Sequence, residues 1–250
     1  MTVLTADLVA YGAANHAEDD ASTQGGAIDL TVKIALTFMA ANDTLDVVSD
    51  NAADTTQTVT ITGRLADGSI DTEVFTLAGT TPQVGATTFE RILKAVLSAT
   101  ATGTITIDRS SAGPNVATME PGILQIRTLF FDAASDASPK TIYEKVFFKN
   151  ENGTDTLTNS TLELTLEPAA VADYLMAVED AVDDSNSAAN RVTAPVGQSA
   201  FRQINVTEPV PGGGNLAAGE AIGVWFQMDL AADNAGFVDD WTLELAGSTT

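Results

Sequence analysis

Threonine-rich segments in which apolar and polar residues alternate are the dominant pattern along the chain. In Gln57–Thr62, Val59 and Ile61 fall on one face of an extended chain and the threonines fall on the other. The same alternation recurs at residues 103–108, 160–166 and 241–245. Successive side chains of a strand point to opposite faces of a sheet, so these segments are predicted to be half-buried antiparallel strands.

Turn residues lie between the predicted strands. Asp67-Gly68 and Asn152-Gly153 favour tight hairpins, because Asp, Asn and Gly tolerate the positive φ angles that two-residue hairpin turns require. Several short strands separated by such turns are typical of a β-sandwich or a β-barrel. The predicted fold class is therefore all-β.

Two segments have apolar spacings that also fit helices. In residues 89–97 the large apolar side chains recur at i, i+3, i+4, i+7 and i+8, which is helical spacing. Residues 169–182 are rich in helix formers and follow Pro168, which suits the first turn of a helix. Both segments nevertheless lie between strong strands, and Tyr174–Val178 also fits a strand. The pattern alone leaves both open.

Linker composition predicts where the chain divides. Residues 132–139 are small and polar and end in a proline, and an apolar strand begins soon afterwards. This places an N-terminal domain at residues 28–134 and a C-terminal domain at residues 140–250. Residues 1–27 are predicted to form an extended arm, because their large apolar residues are few and are followed by Asn, Asp, Ser and Gly.

The arm carries the predicted partner-binding residues. Leu4, Leu8 and Tyr11 lie at i, i+4 and i+7, so a short helix would present them together to another protein. The alternatives are a frayed terminus, or an edge strand added to the protein's own first sandwich.

Composition narrows the possible chemistry. The 250 residues are 44% apolar and include no cysteine and a single histidine, His16. This excludes disulfides, thiolate zinc sites and cysteine nucleophiles, and it leaves little for acid–base catalysis. No apolar run approaches the roughly 18 residues that a membrane helix needs. The first ten residues lack the basic region of a secretion signal. We therefore expect no enzymatic activity and no catalytic residue.

The net charge of −23, from 34 acidic and 11 basic residues, is spread along the whole chain. Residues 1–135 hold 6 bases and 16 acids, and residues 136–250 hold 5 bases and 18 acids. Such a surface repels phosphate backbones and anionic lipids, so neither nucleic acid nor a membrane is an expected partner.

Acidic pairs and aromatic residues are the remaining candidates for binding chemistry. The pairs Asp19-Asp20, Asp183-Asp184 and Asp239-Asp240 could in principle hold calcium, as could the loop Asn150–Asp155. The loop has one carboxylate too few for a calcium-binding pattern, so no metal and no cofactor are predicted. Five aromatic residues could form a sugar platform, although packing in the core is the favoured interpretation. They are Tyr143, Trp225, Phe226, Phe237 and Trp241.

Two sets of motifs resemble β-sandwich modules of tailed-bacteriophage virion proteins. In the first half the motifs are Thr58–Gly63, Asp67-Gly68, Glu73–Leu77, Gly79-Thr80-Thr81, Phe89 and Thr102–Ile107. In the second half they are Tyr143–Asn150, Asn190-Arg191, Pro195 and Leu216–Trp225. The resemblance implies two β-sandwich domains, Ig-like or jelly-roll-like, behind the N-terminal arm. It also implies strands rather than helices at residues 89–97 and 173–179.

The resemblance further implies a structural role in the virion. Within that class we expect a capsid decoration, or cement, protein that binds the major capsid protein on the outer surface of the head and bridges capsomers. It would be made in the host cytoplasm and would form a homo-oligomer, with a trimer favoured. The alternative within the class is a tail, fibre or head-tail junction protein. The alternative from another class is a carbohydrate-binding or cell-surface adhesion module.

Overall fold

The structure is a computed structural model that describes residues 2–37, 39–111, 113, 115–131, 137–166, 173–203, 205–233 and 241–249, with the backbone alone at residues 166, 241 and 242. Within these residues the chain is all-β and has several sheets, which confirms the predicted fold class. Among the described residues, the helical segments are a 3-10 turn at Thr5–Asp7 and a single turn, α1, at Pro211–Gly214, whose three glycines have positive φ angles. No described helix has the length and apolarity needed to span a membrane.

The described strands are numbered in chain order. The first ten are β1 (Leu8–Asn15), β2 (Gln24–Ile34), β3 (Leu45–Ser49), β4 (Thr58–Arg64), β5 (Ile70–Thr76), β6 (Gln83–Val84), β7 (Arg91–Leu97), β8 (Ile105–Arg109), β9 (Asn115–Met119) and β10 (Gln125–Arg127). The others are β11 (Lys140–Asn150), β12 (Leu157–Leu166), β13 (Asp173–Val182), β14 (Ser187–Ala188), β15 (Thr207–Pro209), β16 (Ala221–Leu230) and β17 (Trp241–Thr249).

The chain divides into two compact units. Unit 1 contains residues 1–29 and 132–250, and unit 2 contains residues 30–131. Strand β2 crosses this division, so its first residues belong to unit 1 and its last residues to unit 2. The predicted layout of an arm followed by two domains is not confirmed, because the first 29 residues group with the C-terminal half. Of the predicted linker, residues 132–136 lie outside the described residues.

Unit 2 is built from two sheets. In one sheet the end of β2 is followed by β10, β7, β4 and β5, and in the other the strand order is β6, β3, β8, β9. The alternating segments of the sequence supply the core, as predicted, because their apolar side chains all point inward. Val59, Ile61, Ile105 and Ile107 of these segments are fully buried, and Leu45, Val47 and Phe89, which lie outside them, complete this part of the core.

Strand β7 settles the first ambiguous segment. Residues 91–97 pair with β4 on one side and with β10 on the other, so the helical alternative is wrong. The pairing with β4 shifts between Thr62 and Gly63, whose partners are Lys94 and Ile92. This β-bulge leaves Leu93 as the extra residue, so Ile92 and Leu93 are both buried. The helix-like apolar spacing in the sequence comes from the bulge.

Unit 1 contains a large sheet and a small sheet. In the large sheet the order is β13, β16, β11, β1 and the start of β2, with β14 paired to β2. The small sheet has the order β15, β12, β17. Strands β11 and β16 form the longest antiparallel pair, from Lys140 opposite Leu230 to Lys149 opposite Ala221. Residues 142–147 of β11 are all buried, which is typical of a strand covered on both faces.

Strand β13 settles most of the second ambiguous segment. Its residues from 173 onward pair with β16, so a helix over residues 173–182 is wrong, while residues 169–172 lie outside the described part of the chain. Here too the pairing is irregular: Val178 lies opposite Val224, but Val182 lies opposite Ile222. Buried residues consequently run from Met176 to Glu179 without alternation.

The N-terminal segment is integrated into the large sheet of unit 1. Strand β1 lies between β11 and β2, and its residues Leu8 to Gly12 lie opposite Asn150 to Val146. The predicted short helix through Leu4, Leu8 and Tyr11 is therefore wrong, because a strand begins at Leu8. The alternative of an edge strand on the first sandwich is also wrong, because β1 has neighbours on both sides and belongs to the unit that contains residues 132–250.

Candidate functional site

A fully buried lysine lies at the centre of unit 1. Lys145 of β11 is directly opposite Trp225 of β16, and Ala177 of β13 lies opposite Trp225 on its other side. The irregular pairing that follows Val178 brings Glu179 to the same place, and Asp184 follows just after β13 ends. We call Lys145, Glu179, Asp184, Asn186 and Trp225 the lysine centre.

The ammonium group of Lys145 is surrounded by oxygen atoms. Its Nζ lies 2.9 Å from Oε1 of Glu179 and is in direct contact with Oδ1 of Asp184. It also lies 3.3 Å from the carbonyl oxygen of Gly26 and 3.1 Å from that of Asn186. An ammonium has three protons to donate, so four acceptors compete for them.

The two carboxylates are fixed by further hydrogen bonds. Trp225 Nε1 donates to Oε1 of Glu179 at 2.6 Å, and Asn186 Nδ2 donates to Oε2 of Glu179 at 2.8 Å. The backbone N–H of Asn186 donates to Oδ1 of Asp184 at 2.9 Å. Oδ2 of Asp184 is buried and accepts no hydrogen bond from the described residues. One oxygen of the centre therefore lacks the partner that buried polar atoms normally have.

Solvent is excluded from these charges. The side chains of Lys145 and Glu179 are 0% exposed, and that of Asp184 is 5% exposed. Two aromatic rings approach the ammonium: Nζ lies 4.8 Å from the ring centroid of Phe147 and 5.5 Å from that of Trp225. Burial raises the pKa of Glu179, and the hydrogen bond and charge of Lys145 oppose that rise.

Glycines provide the space that the centre occupies. A Cβ atom at Gly223 of β16 would lie 2.5 Å from Oδ2 of Asp184, 2.8 Å from Cε of Lys145 and 2.9 Å from Cγ of Glu179. The three side chains therefore converge on a single point where a side chain is missing. Gly25 has a φ of +88°, and a Cβ there would lie 2.6 Å from Cη2 of Trp225. Only glycine is compatible with either position as the side chains stand.

A second buried ion pair involves Glu144, the residue that precedes Lys145 in the sequence. Nη2 of Arg191 lies 3.4 Å from Oε1 of Glu144, and both side chains are at most 2% exposed. Arg191 also donates from Nη1 to the carbonyl oxygen of Glu18 at 3.1 Å, and its own carbonyl accepts from the N–H of Tyr143 at 2.8 Å. This pair fastens the loop after β14 and the loop after β1 to β11.

The predicted partner-binding residues do not form one surface. Leu4 is 61% exposed, Leu8 is half-buried, and Tyr11 is buried at 6%. The hydroxyl of Tyr11 donates to Oε1 of Glu151 at 2.5 Å, inside the same unit. Of the three, Leu4 alone offers most of its side chain to a partner.

Most of the acidic pairs have structural roles. Asp19 accepts hydrogen bonds from Ala21 and Ser22, and Asp20 forms an ion pair with Lys140. Asp183 accepts from the N–H of Ala221. The pair at residues 239–240 lies outside the described residues. Across the described chain, no three His, Asp or Glu residues are grouped so that they could hold a metal ion.

His16 and the loop Asn150–Asp155 also form hydrogen bonds within the protein. His16 Nε2 accepts a hydrogen bond from the N–H of Ala13 at 2.8 Å, within a cleft that follows β1. In the loop Asn150–Asp155, the side-chain Nδ2 of Asn150 donates to the carbonyl oxygens of Asp155 and Leu216, at 3.0 Å each. These contacts stabilise turns.

The aromatic residues pack in the core where the structure describes them. Trp225 and Phe226 are 0% exposed, and Tyr143 packs against Phe201 with ring centroids 5.5 Å apart. Core packing is thus confirmed for Tyr143, Trp225 and Phe226. The side chain of Trp241 and residue 237 lie outside what the structure describes.

The lysine centre itself was not predicted as a site. The sequence pattern marks Lys145 only as part of a strand motif and Asp184 only as half of an acidic pair. It does not single out Glu179. A usable signal exists, because Glu144 and Lys145 interrupt an otherwise apolar strand from Ile142 to Phe148. Charged residues in a strand buried on both faces must be paired.

No protein-family model matches the chain, and no curated protein matches it either.

Proposed function

We propose that this protein is a non-enzymatic structural component of a tailed-bacteriophage virion, and specifically a decoration protein of the outer head surface. The observation that carries the proposal is the position of the phage-like motifs in the fold. The motif Thr58–Gly63 lies in β4, Glu73–Leu77 overlaps β5, and Thr102–Ile107 leads into β8. The Asp67-Gly68 turn joins β4 to β5, with Gly68 at a φ of +87°. That these motifs lie in strands and in a turn of unit 2 supports the proposal.

The charge of the molecule suits such a place. A net charge of −23 opposes contact with packaged DNA but permits binding on the outside of a capsid. Packaged DNA pushes the shell outward, and a protein that bridges neighbouring capsomers opposes their separation. In this proposal the two compact units are two sandwich modules, the main partner is the major capsid protein, and the decorating species is a homo-oligomer, a trimer.

The buried chemistry of unit 1 also supports a structural role over a catalytic one. The charged groups of the lysine centre are at most 5% exposed, so their side chains offer a substrate almost no accessible surface. The carbohydrate-binding alternative loses Trp225 and Phe226 as platform residues, since both are fully buried. The remaining alternative is a tail, fibre or head-tail junction protein. It is tested by finding where on the particle the protein binds.

Binding to capsids tests the proposal. Purified protein is mixed with tailed particles that lack it, and co-sedimentation is followed by image reconstruction of the particles. We expect saturable binding with density on the outer capsid surface between capsomers. Density on the tail would instead support a tail, fibre or head-tail junction protein. Binding to a glycan array without any binding to heads would overturn the virion role.

Leu4 is the contact residue that the proposal retains from the predicted set, because it is 61% exposed. Leu4→Asp is expected to weaken head binding at least tenfold without changing the melting temperature. Val84→Asp, at an exposed apolar residue of unit 2, is the matched control and should bind normally. If the wild-type protein binds heads and Leu4→Asp binds equally well, the contact role of Leu4 is wrong while decoration stands.

A further inference from the structure

The lysine centre holds in one closed site the three groups that an amide-forming condensation needs. These are an amine, a carboxyl group in direct contact with it, and a second carboxylate 2.9 Å from the amine nitrogen. We propose that Lys145 and Asp184 become joined by an intramolecular isopeptide bond, which forms within the folded protein with Glu179 as the proton carrier. The bond would link β11 to the turn that follows β13.

The reaction is a dehydration that needs no further reagent. A bond forms between Nζ of Lys145 and Cγ of Asp184, and one C–O bond of Asp184 breaks. The ammonium gives up two of its three protons, and these leave with the departing oxygen as one water molecule. An ammonium and a carboxylate are replaced by a neutral amide, so atoms and charge balance without an oxidant or a cofactor.

Glu179 is placed to move the protons. Its Oε1 is close enough to Nζ to accept a proton, which frees the nitrogen lone pair to attack Cγ. Burial raises the pKa of Glu179, so its carboxyl group holds a proton more readily than an exposed one. Trp225 and Asn186 fix the two oxygens of this carboxylate. Cγ of Glu179 and Oδ2 of Asp184 lie within 3 Å of the same point beside Gly223, which keeps the carrier near the departing oxygen.

Asp184 is held in a matching orientation. Its Oδ1 accepts the N–H of Asn186 at 2.9 Å, and this donor stabilises negative charge on Oδ1 while Nζ adds to Cγ. Oδ2 has no hydrogen-bond partner among the described residues, so Oδ2 is the oxygen that leaves. Oδ1 remains as the amide carbonyl and keeps its hydrogen bond.

The surroundings favour the amide over the separated charges. Buried ions are costly because the interior does not replace their hydration fully, and condensation removes two of them. The side chains involved are at most 5% exposed, so little water is present to reverse the reaction. The contact between Nζ and the carboxyl group replaces a bimolecular encounter by a preorganised one.

Mass spectrometry of the purified full-length protein tests the proposal directly. We expect an intact mass lower than the sequence mass by one water. After digestion with trypsin, peptide 141–149, uncut at Lys145, should remain attached to peptide 150–191. An intact wild-type mass equal to the sequence mass, with separate peptides and cleavage after Lys145, would overturn the proposal and leave an ion pair.

Variants identify the groups that react. Lys145→Arg keeps a positive charge without a suitable nucleophile, and Glu179→Gln keeps the shape without the proton carrier. Both should show the full mass of their sequences and separate peptides. Asp184→Asn should still condense, but with loss of ammonia, and should therefore reach the same final mass as the wild-type protein. Asp180→Asn, at an exposed neighbour, is the matched control and should lose one water.

The result does not depend on every variant folding. If Lys145→Arg or Glu179→Gln does not fold, the intact mass and the linked peptides of the wild-type protein still decide whether the bond exists. The final mass of Asp184→Asn then shows whether residue 184 supplies the carbonyl group of the bond. A folded Glu179→Gln protein that is fully cross-linked would show that Glu179 is not the proton carrier, which contradicts that part of the proposal.

Discussion

At the scale of single residues, Asp54 shows how one buried carboxylate organises a loop of unit 2. Its Oδ2 accepts from Ser49 Oγ at 2.7 Å and from the N–H of Gly103 at 2.9 Å, and Oδ1 accepts from the N–H of Thr102 at 2.8 Å. Asp54→Asn places an amide donor against these donors. We expect the free energy of unfolding to fall by about 2 kcal/mol, measured by urea denaturation at neutral pH.

The pH dependence of this loss provides a second check. The hydrogen bond from Thr102, with those from Ser49 and Gly103, holds the pKa of Asp54 below its ordinary value of 3.8. The stability from a lowered pKa is present above the unfolded value and is lost as the pH falls through the folded value. The difference between wild type and Asp54→Asn should therefore shrink below pH 3.8. Asp71→Asn, at an exposed position, should change stability by less than about 0.5 kcal/mol.

The sequence shows residue types but not the partners that they have in the fold. Asp183-Asp184 was noted as an acidic pair, yet the structure separates the roles of its members, because Asp184 contacts Lys145 while Asp183 accepts from the N–H of Ala221. The contact between Lys145 and Asp184 spans 39 residues of sequence and depends on the way that β13 ends. No local pattern encodes such a contact.

At the scale of elements, the β-bulge between β4 and β7 depends on Gly63. A Cβ there would lie 2.7 Å from the carbonyl oxygen of Arg91 and closer still to the buried ring of Phe89. We expect Gly63→Ala to lower the free energy of unfolding by about 1–3 kcal/mol, because one of these groups must move. Gly153→Ala is the matched control, since nothing lies within 4 Å of its Cβ position. Equal stabilities of the two variants in urea would contradict this account.

Strand β1 is expected to be part of the stable fold. Tyr11 is 6% exposed and donates to Glu151 at 2.5 Å, whereas Leu4 is 61% exposed. Tyr11→Ala should lower the free energy of unfolding by about 3 kcal/mol, because a cavity forms and a partly buried hydrogen bond is lost. Leu4→Ala should change it by less than about 0.5 kcal/mol. Thermal denaturation compares them, and a stable Tyr11→Ala protein would favour an independent arm.

Regular strands could be predicted from the alternation of apolar and polar residues, but β-bulges could not. The segments at residues 57–62 and 103–108 became β4 and β8 because their period-two pattern is regular. Strands β7 and β13 contain bulges that place consecutive residues in the core, such as Ile92 and Leu93. Such insertions make a strand resemble a helix in apolar spacing. The apolar pattern does not show which strands lie beside such a segment, and only the resemblance to sandwich modules implied strands at residues 89–97 and 173–179.

At the scale of the whole molecule, the units do not follow the order of the chain. Local composition predicted a division near residues 132–140, whereas the compact units are residues 1–29 with 132–250 and residues 30–131. It could not predict that residues 1–29 belong with the C-terminal half. That membership depends on β1 pairing with β11, where Leu8 lies opposite Asn150. Pairing between strands so distant in sequence is set by packing and not by local propensity.

Net charge is a property of the whole molecule, and it leads to an expected salt dependence. With 34 acidic and 11 basic residues, the folded chain brings many like charges together, and their repulsion lowers its stability. The screening length falls from about 30 Å at 0.01 M salt to about 10 Å at 0.1 M. We therefore expect the melting temperature at neutral pH to rise as NaCl is added, by about 2–4 °C for each kcal/mol of repulsion removed.

The shape of this rise separates screening from other effects of salt. Screening depends on ionic strength, so most of the increase should occur below about 0.2 M, where the screening length changes most. Chloride and sulfate salts should then give similar curves at equal ionic strength. Exclusion of sulfate from the protein surface would instead add stability at higher concentration and would differ between the two anions. A melting temperature that stays constant between 0.01 and 0.1 M would show that the acidic residues lie too far apart to repel one another appreciably.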